Sequence, residues 1–305
     1  MVGRRGGVPG FADKLRAWLG RSAARGLHGE RRGIVEGVVL GDDAGLSDDL
    51  RRDFRASGLY HLLAVSGQNV ALVAGSALLV AWLVGLPRLA GELGALAAIG
   101  AYVLAVGAQP SVVRAAVAGA LGSLAWIAAR QKDRWHFLLL GAIVLLAWNP
   151  YTLLDPGFEL SFAAVVSIFT VAPRVRRALD GYPVPPRLAD VVSVSTACGL
   201  ATAPVSWFQF HAIPLLTVPA NALAAPAVVP LLGLGLAAAV IAPLSGGGAS
   251  TLAGLNGWCA AYLAECARLV GGLPFAQIRS GRAAAALAVA AFVGGAYAWR
   301  RCRPS

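Results

Sequence analysis

Charge is what this chain has least of. Asp, Glu, Lys and Arg make up 13% of its 305 residues, where a soluble domain carries about a quarter. Hydrophobic residues reach 57% and mean hydropathy is +0.67, which excludes an ordinary soluble globular fold. There is no Walker phosphate loop, so ATP hydrolysis by the chain itself is excluded. Cys198, Cys259, Cys266 and Cys302 lack metal-ligand spacing, and Cys259 and Cys266 share a helix face as buried thiols. His28, His61, His136 and His211 are scattered. Asp42, Asp43, Asp48 and Asp49 are the nearest thing to a metal cluster. Their run lacks the alternating spacing of a calcium loop, and Asp48 and Asp49 read as first-turn helix charges. No metal, cofactor or catalytic group is expected. Residues 1–33 hold no continuous apolar core, so no signal peptide is expected there.

What is present is a series of apolar runs, at roughly 60–85, 89–107, 112–129, 136–149, 158–173, 188–207, 213–242, 250–272 and 283–299. They predict an all-α, polytopic membrane helical bundle of about eight to ten spans. The 136–149 and 158–173 runs are short, so one or both are expected to be tilted or partial. The 213–242 run carries Pro214, Pro219, Pro226 and Pro230 and is expected to be one Pro-broken helix. Residues 1–56 form a polar, amphipathic N-terminal region holding 11 of the 26 basic residues and eight of the 15 acids, and 57–300 form the transmembrane domain. Within the first region, residues 11–27 can be drawn as a helix with Phe11, Leu15, Trp18, Leu19 and Ala23 on one side, lying along the membrane surface or packed on a further domain.

Net charge is +11, but the basic residues gather in loops and at both ends, a pattern that suits membrane topology as well as a nucleic-acid partner. Arg88, then Arg130, Lys132 and Arg134, then Arg174, Arg176, Arg177 and Arg187 fall on one side of alternating spans. That side is expected to be cytoplasmic, leaving the N-terminal region outside.

Polar groups inside the apolar runs mark the candidate path. Buried polar groups are costly in hydrocarbon, where no water satisfies them. SGLYHLLAVSGQNVALVAGS, at 57–76, opens the first run with His61, Ser66, Gln68, Asn69 and Ser76. On a continuous helix these fall within about half the circumference, facing water or bridging neighbouring helices. Arg114 stands at the mouth of the third run, either in the path or reaching for lipid headgroups. Glu159, Ser161 and Ser167 open the fifth run, and Asn221 lies in the Pro-rich one. Trp207, Phe208 and Phe210 form an interfacial belt or a platform on which bases stack.

Gly58, His61, Leu62, Leu63, Ala64, Val65, Ser66 and Gly67 match the Gly-x-x-His-Leu-Leu-Ala-Val-Ser-Gly signature of the ComEC family of DNA-uptake (competence) proteins. Many members continue Leu-His-Val where Gln68, Asn69 and Val70 stand here, so a role for that second His does not carry over. Three further stretches resemble family segments in the same order. These are Asn149-Pro150 with Asp155-Pro156-Gly157-Phe158-Glu159-Leu160-Ser161-Phe162, then 203–230, then 271–276. Glu159 replaces a frequent Gln and adds a charge that could pair with Arg114.

The resemblance implies a channel that conducts single-stranded DNA across the bacterial inner (cytoplasmic) membrane during natural transformation. It also implies partners: membrane lipid, a separate nuclease, a cytoplasmic motor and other uptake proteins. Without a His-x-His-x-Asp-His run the metallo-β-lactamase-like domain of many members is not expected, nor is their oligonucleotide-fold region, leaving the channel domain alone. A small-solute or lipid transporter would suit the Pro-rich run equally. An intramembrane serine protease would need Ser66 with His61 or His211. On a straight helix His61 points about 140° from Ser66, and His211 abuts an interface.

Overall fold

The computed structural model describes residues 7–107, 109–127 and 133–282. They are helical almost throughout. The polar beginning folds as α1 (Gly7–Ala23), α2 (Gly29–Leu40) and α3 (Asp48–Ser57). A short 3-10 turn, Tyr60–Leu62, precedes α4 (Gly67–Leu83), α5 (Arg88–Val106), α6 (Pro110–Ile127) and α7 (Arg134–Trp148). A second turn, Pro150–Leu154, leads into α8 (Pro156–Thr170), α9 (Ala172–Ala178) and α10 (Pro186–Phe210). α11 (Thr217–Ile241) and α12 (Gly246–Gly271) follow. Two-residue strands, β1 (Ile213–Pro214) and β2 (Gln277–Ile278), pair antiparallel with Ile213 opposite Ile278.

Among the described residues four helical stretches are long and apolar enough to cross a membrane: Tyr60–Leu83, Arg88–Val106, Pro186–Phe210 and Thr217–Ile241. α8 and α9, bent by 43°, make five if counted as one broken span. The chain is an all-α, multi-pass membrane protein. At 15 residues α7 is about 22 Å long, short of the roughly 30 Å hydrocarbon core. Its ends are fixed locally: Asp133 accepts the Trp135 amide at the start, and Asn149-Pro150 stops the other end. The 283–299 run lies outside the described residues.

The 213–242 run is interrupted in front rather than in the middle. Residues 213–214 pair as β1, and α11 then runs on with Pro226 and Pro230 inside it. Pro219 falls in the first turn, where a backbone N–H has no helical acceptor in any case. Each internal proline removes one helical hydrogen bond without ending the helix. α10 likewise continues through Pro204.

The chain divides into two compact units. The first is Met1–Arg51, Tyr60–Phe158 and Ala224–Glu265; the second is Arg52–Leu59, Glu159–Leu223 and Cys266–Ser305. In the first, α4 packs on α5 and α6, α6 on α7, and α1 on α2 and α5. Its core includes Ile34, Val35, Val39, Leu50, Val65 and Val70, each nearly inaccessible. In the second, α9 and the strand β1 pack on α10.

Candidate functional site

Within the first unit the signature stretch is a helix start, not a continuous helix. Leu63 and Val65 are buried, and the chain turns extended at Ser66 before α4 begins at Gly67. Ser is a favoured residue at such a boundary, although the Ser66 side chain makes no capping bond to the backbone here. His61 and Ser66 therefore precede the helix that carries Gln68, Asn69 and Ser76, and the shared face drawn for all five does not exist. His61, Gln68 and Ser76 are exposed, whereas Asn69 is 5% exposed. The Ser66 hydroxyl donates to Asn69 Oδ1 at 3.1 Å. Asn69 Nδ2 donates to the Val38 carbonyl at 2.7 Å and to the Tyr102 hydroxyl at 3.2 Å. Tyr102 in turn donates to the Val39 carbonyl at 2.6 Å.

These contacts solve a particular problem. The last four carbonyls of a helix have no partner within it. In α2 the amide of the left-handed cap Gly41 serves Gly37, which leaves Val38, Val39 and Leu40. Asn69 takes the first and Tyr102 the second, while Arg16 Nη1 takes Leu40 at 3.3 Å. Arg16 Nη1 also lies 3.3 Å from the Ala105 and Val106 carbonyls at the end of α5, and Nη2 pairs with Asp42 at 3.3 Å. One guanidinium thus sits at the negative ends of two helices. Ser111 completes the arrangement by donating to the Val65 carbonyl at 2.8 Å.

The acidic turn is built rather than open. Arg51 bonds Asp43 at 3.1 Å and Asp48 at 2.7 Å, Tyr60 donates to Asp43 at 2.9 Å, and Ser47 donates to Glu30 at 2.6 Å. Among the described residues no group of three or more His, Cys, Asp or Glu could hold a metal ion.

Arg114 stands half-buried in the second turn of α6. A Cβ on Gly141 of α7 would lie 3.2 Å from Arg114 Cγ, so that glycine makes room for the arginine's stem. Outside the spans, the Asp133 carboxyl is held below its ordinary range, first by His136 Nδ1 at 3.0 Å and then by the Trp135 amide.

In the second unit, Gly58 has φ of 79°, and a Cβ there would meet Thr217 Oγ1 at 2.3 Å. Glycine is required on both counts. Glu159 is half-buried in α8 and accepts a hydrogen bond from Gln209 of α10 at 3.3 Å; Ser161, two residues on, points to roughly the opposite side of the helix. Gln209 lies between Phe208 and Phe210, which are 77% and 60% exposed, while Trp207 is half-buried with its ring 6.0 Å from that of His211. Asn221 of α11 donates to Ser195 of α10 at 3.0 Å. Of the sequence candidates, then, Asn69 and Ser66 meet in one network, and Glu159 meets Gln209 beside the exposed aromatics.

Several polar groups escaped the sequence reading. Arg16 and Tyr102 look like surface and core residues until the α2 carbonyls are in place. Glu92 is buried within a span, with Arg88 at 3.6 Å, and Gln209 was hidden among aromatics.

A family model described as Competence protein matches residues 38–303. The chain is 30% identical over 197 residues to ComE operon protein 3 of Bacillus subtilis (strain 168), covering 64% of this chain and 24% of that protein. It is 28% identical over 233 residues to the uncharacterized protein YcaI of Escherichia coli (strain K12), covering 70% of this chain and 29% of that one. The alignments thus span under a third of either relative's length. No solved structure matches the chain.

Proposed function

This chain belongs to the competence-protein family, and on that premise we propose that it lines a membrane path through which single-stranded DNA enters the bacterial cytoplasm during transformation. The observation that carries the reading beyond membership is on the span Tyr60–Leu83. Its buried Asn69 is fully engaged, yet Gln68 and Ser76 remain on its exposed surface. Against bare hydrocarbon a carboxamide and a hydroxyl would be left costly and unpaired. A hydrated path satisfies them.

In this account His61, Ser66, Gln68, Asn69, Arg114, Glu159, Ser161 and Asn221 shape or line the path. Asn69, Ser66 and Asn221 act by fixing helices, since each is tied to a neighbouring element. Gln68 faces the strand. Arg114 and the Arg-rich loops attract phosphates, and Phe208 and Phe210, with Trp207 behind them, offer stacking surface. Glu159 tied to Gln209 positions the aromatic end of α10. We read the chain as a conduit; against the serine-protease alternative, the Ser66 hydroxyl is spent on Asn69 and the His211 ring lies against that of Trp207. A separate nuclease and a cytoplasmic motor supply strand processing and pull. The membrane is the inner one, with the N-terminal region outside. A solute transporter remains the rival reading.

The test uses Gln68→Cys and Ser76→Cys after replacement of the four native cysteines. A membrane-impermeant thiol reagent should label both and block DNA import. Labelling at neither position, with import intact, would remove the proposed path from this helix.

A further inference from the structure

The first unit holds a cavity of about 540 Å³ where α1 turns into α2 beside the end of α11. Arg21, Arg25 and Arg32 line it together with Trp18, Ala242 and Pro243, and no lining residue is acidic. Arg32 is shared with Glu36 at 2.9 Å, so Arg21 and Arg25 carry most of the positive field. Two helix starts add to it. His28, also on the wall, is the boundary residue of α2 and caps it with no side-chain bond. The Arg25 guanidinium lies where a Cβ on Gly246, the first residue of α12, would meet it at 3.1 Å. Glu30 in the first turn of α2 accepts from Ser47 and is not on the wall, and cations held at the positive ends of helices repel unless an anion lies among them.

The surroundings say which anion. Ala242 and Pro243 directly follow Ile241, the last residue of a candidate span, so the cavity opens at the edge of the apolar layer. On α1, Leu19 and Ala23 are buried in the protein, while Val8, Phe11 and Trp18 stay 66%, 58% and 37% exposed along one stripe. A helix with that division lies in the interface with its outer stripe among acyl chains. We propose that the cavity is a binding site for the headgroup of an anionic phospholipid, with the phosphate on Arg21 and Arg25 and the chains beside Phe11 and Trp18. The proposal is independent of DNA passage.

The test is native mass spectrometry of the full chain released from nanodiscs of phosphatidylglycerol mixed with phosphatidylcholine. Retention of phosphatidylglycerol over phosphatidylcholine is expected. Arg21→Gln with Arg25→Gln should weaken it by about twenty-five-fold, at about fivefold per arginine near the surface. Ala242→Phe, which puts a ring into the cavity where the headgroup would sit and keeps every charge, should weaken it as well, and decides the matter if the double variant fails to fold. Equal retention of the two lipids would overturn the proposal. So would displacement of phosphatidylglycerol by inorganic phosphate, or by a short single-stranded oligonucleotide at equal phosphate concentration.

Discussion

Asn69→Ala should loosen the protein by withdrawing one of three side chains from the end of α2. The Val38 carbonyl is left buried without its 2.7 Å donor, and the Tyr102 hydroxyl loses one of its two partners. An orphaned buried polar group costs about 1–3 kcal/mol. Hydrogen bonds measured inside membrane proteins average about 0.6 kcal/mol and reach about 1.7. The higher end applies here, because Val38 belongs to a helix end whose neighbouring carbonyls are already assigned. Tyr102→Phe removes the 2.6 Å bond to Val39 and should cost about 1–2 kcal/mol. Since Asn69 and Tyr102 also touch each other, the two losses should not add. A double-mutant cycle should give a coupling of about 1 kcal/mol. Thermal unfolding of the detergent-solubilised chain reads it out, with Asn69→Ala lowering the midpoint by about 3–5 °C, at roughly 1.5–2 °C per kcal/mol for a chain of this length. A wild-type midpoint for Asn69→Ala, or strictly additive changes, would refute the shared clasp.

Arg16→Met, at a side chain one-third exposed, should cost only about 1 kcal/mol but speed amide exchange along α1, whereas Arg16→Lys should retain part of the protection. Unchanged exchange would show that α1 is held by packing alone. Gly58→Ala combines a left-handed backbone with a 2.3 Å overlap on Thr217, so it should destabilise by more than about 2 kcal/mol, and adding Thr217→Ala should recover only part. Full recovery would deny the backbone requirement. Asp133 is charged in the folded protein to lower pH than in the unfolded chain, so its capping of α7 is complete above about pH 4 and fades as pH falls through the lowered value. Hydrogen exchange at the Trp135 amide, corrected for intrinsic rate, should show that loss, and Asp133→Asn should abolish its pH dependence. Glu159→Gln should keep DNA import because a carboxamide still accepts from Gln209, while Glu159→Leu should impair it; equal effects would make charge, not hydrogen bonding, the decisive property.

The helical, membrane-spanning class was legible because it rests on composition and run length, which hydrocarbon thickness dictates. Local boundaries were partly legible. The fifth apolar run opens at 158, whereas α8 starts at Pro156, with Asp155 Oδ1 accepting the Phe158 amide at 3.1 Å. Ser66 before Gly67 carries the same kind of signal, but a continuous apolar run hides it, so periodicity ran five polar residues onto one face. Partnerships were the least legible. Nothing local to Asn69 reveals that a carbonyl 31 residues earlier is its partner, and Arg16 gains its role from helix ends 24 and 89 residues away. The α11 prolines show the converse limit: they mark lost hydrogen bonds, not necessarily a break.

The central claim, that DNA passes through this protein, is tested most directly by giving labelled duplex DNA to the native host with and without the gene. The label that becomes nuclease-protected in the cytoplasm is the quantity to measure. The account predicts that protected label disappears without the gene while DNA still binds the cell surface, and that the intact gene restores it. Protected label at the same level in both strains would contradict it and leave solute transport as the better reading.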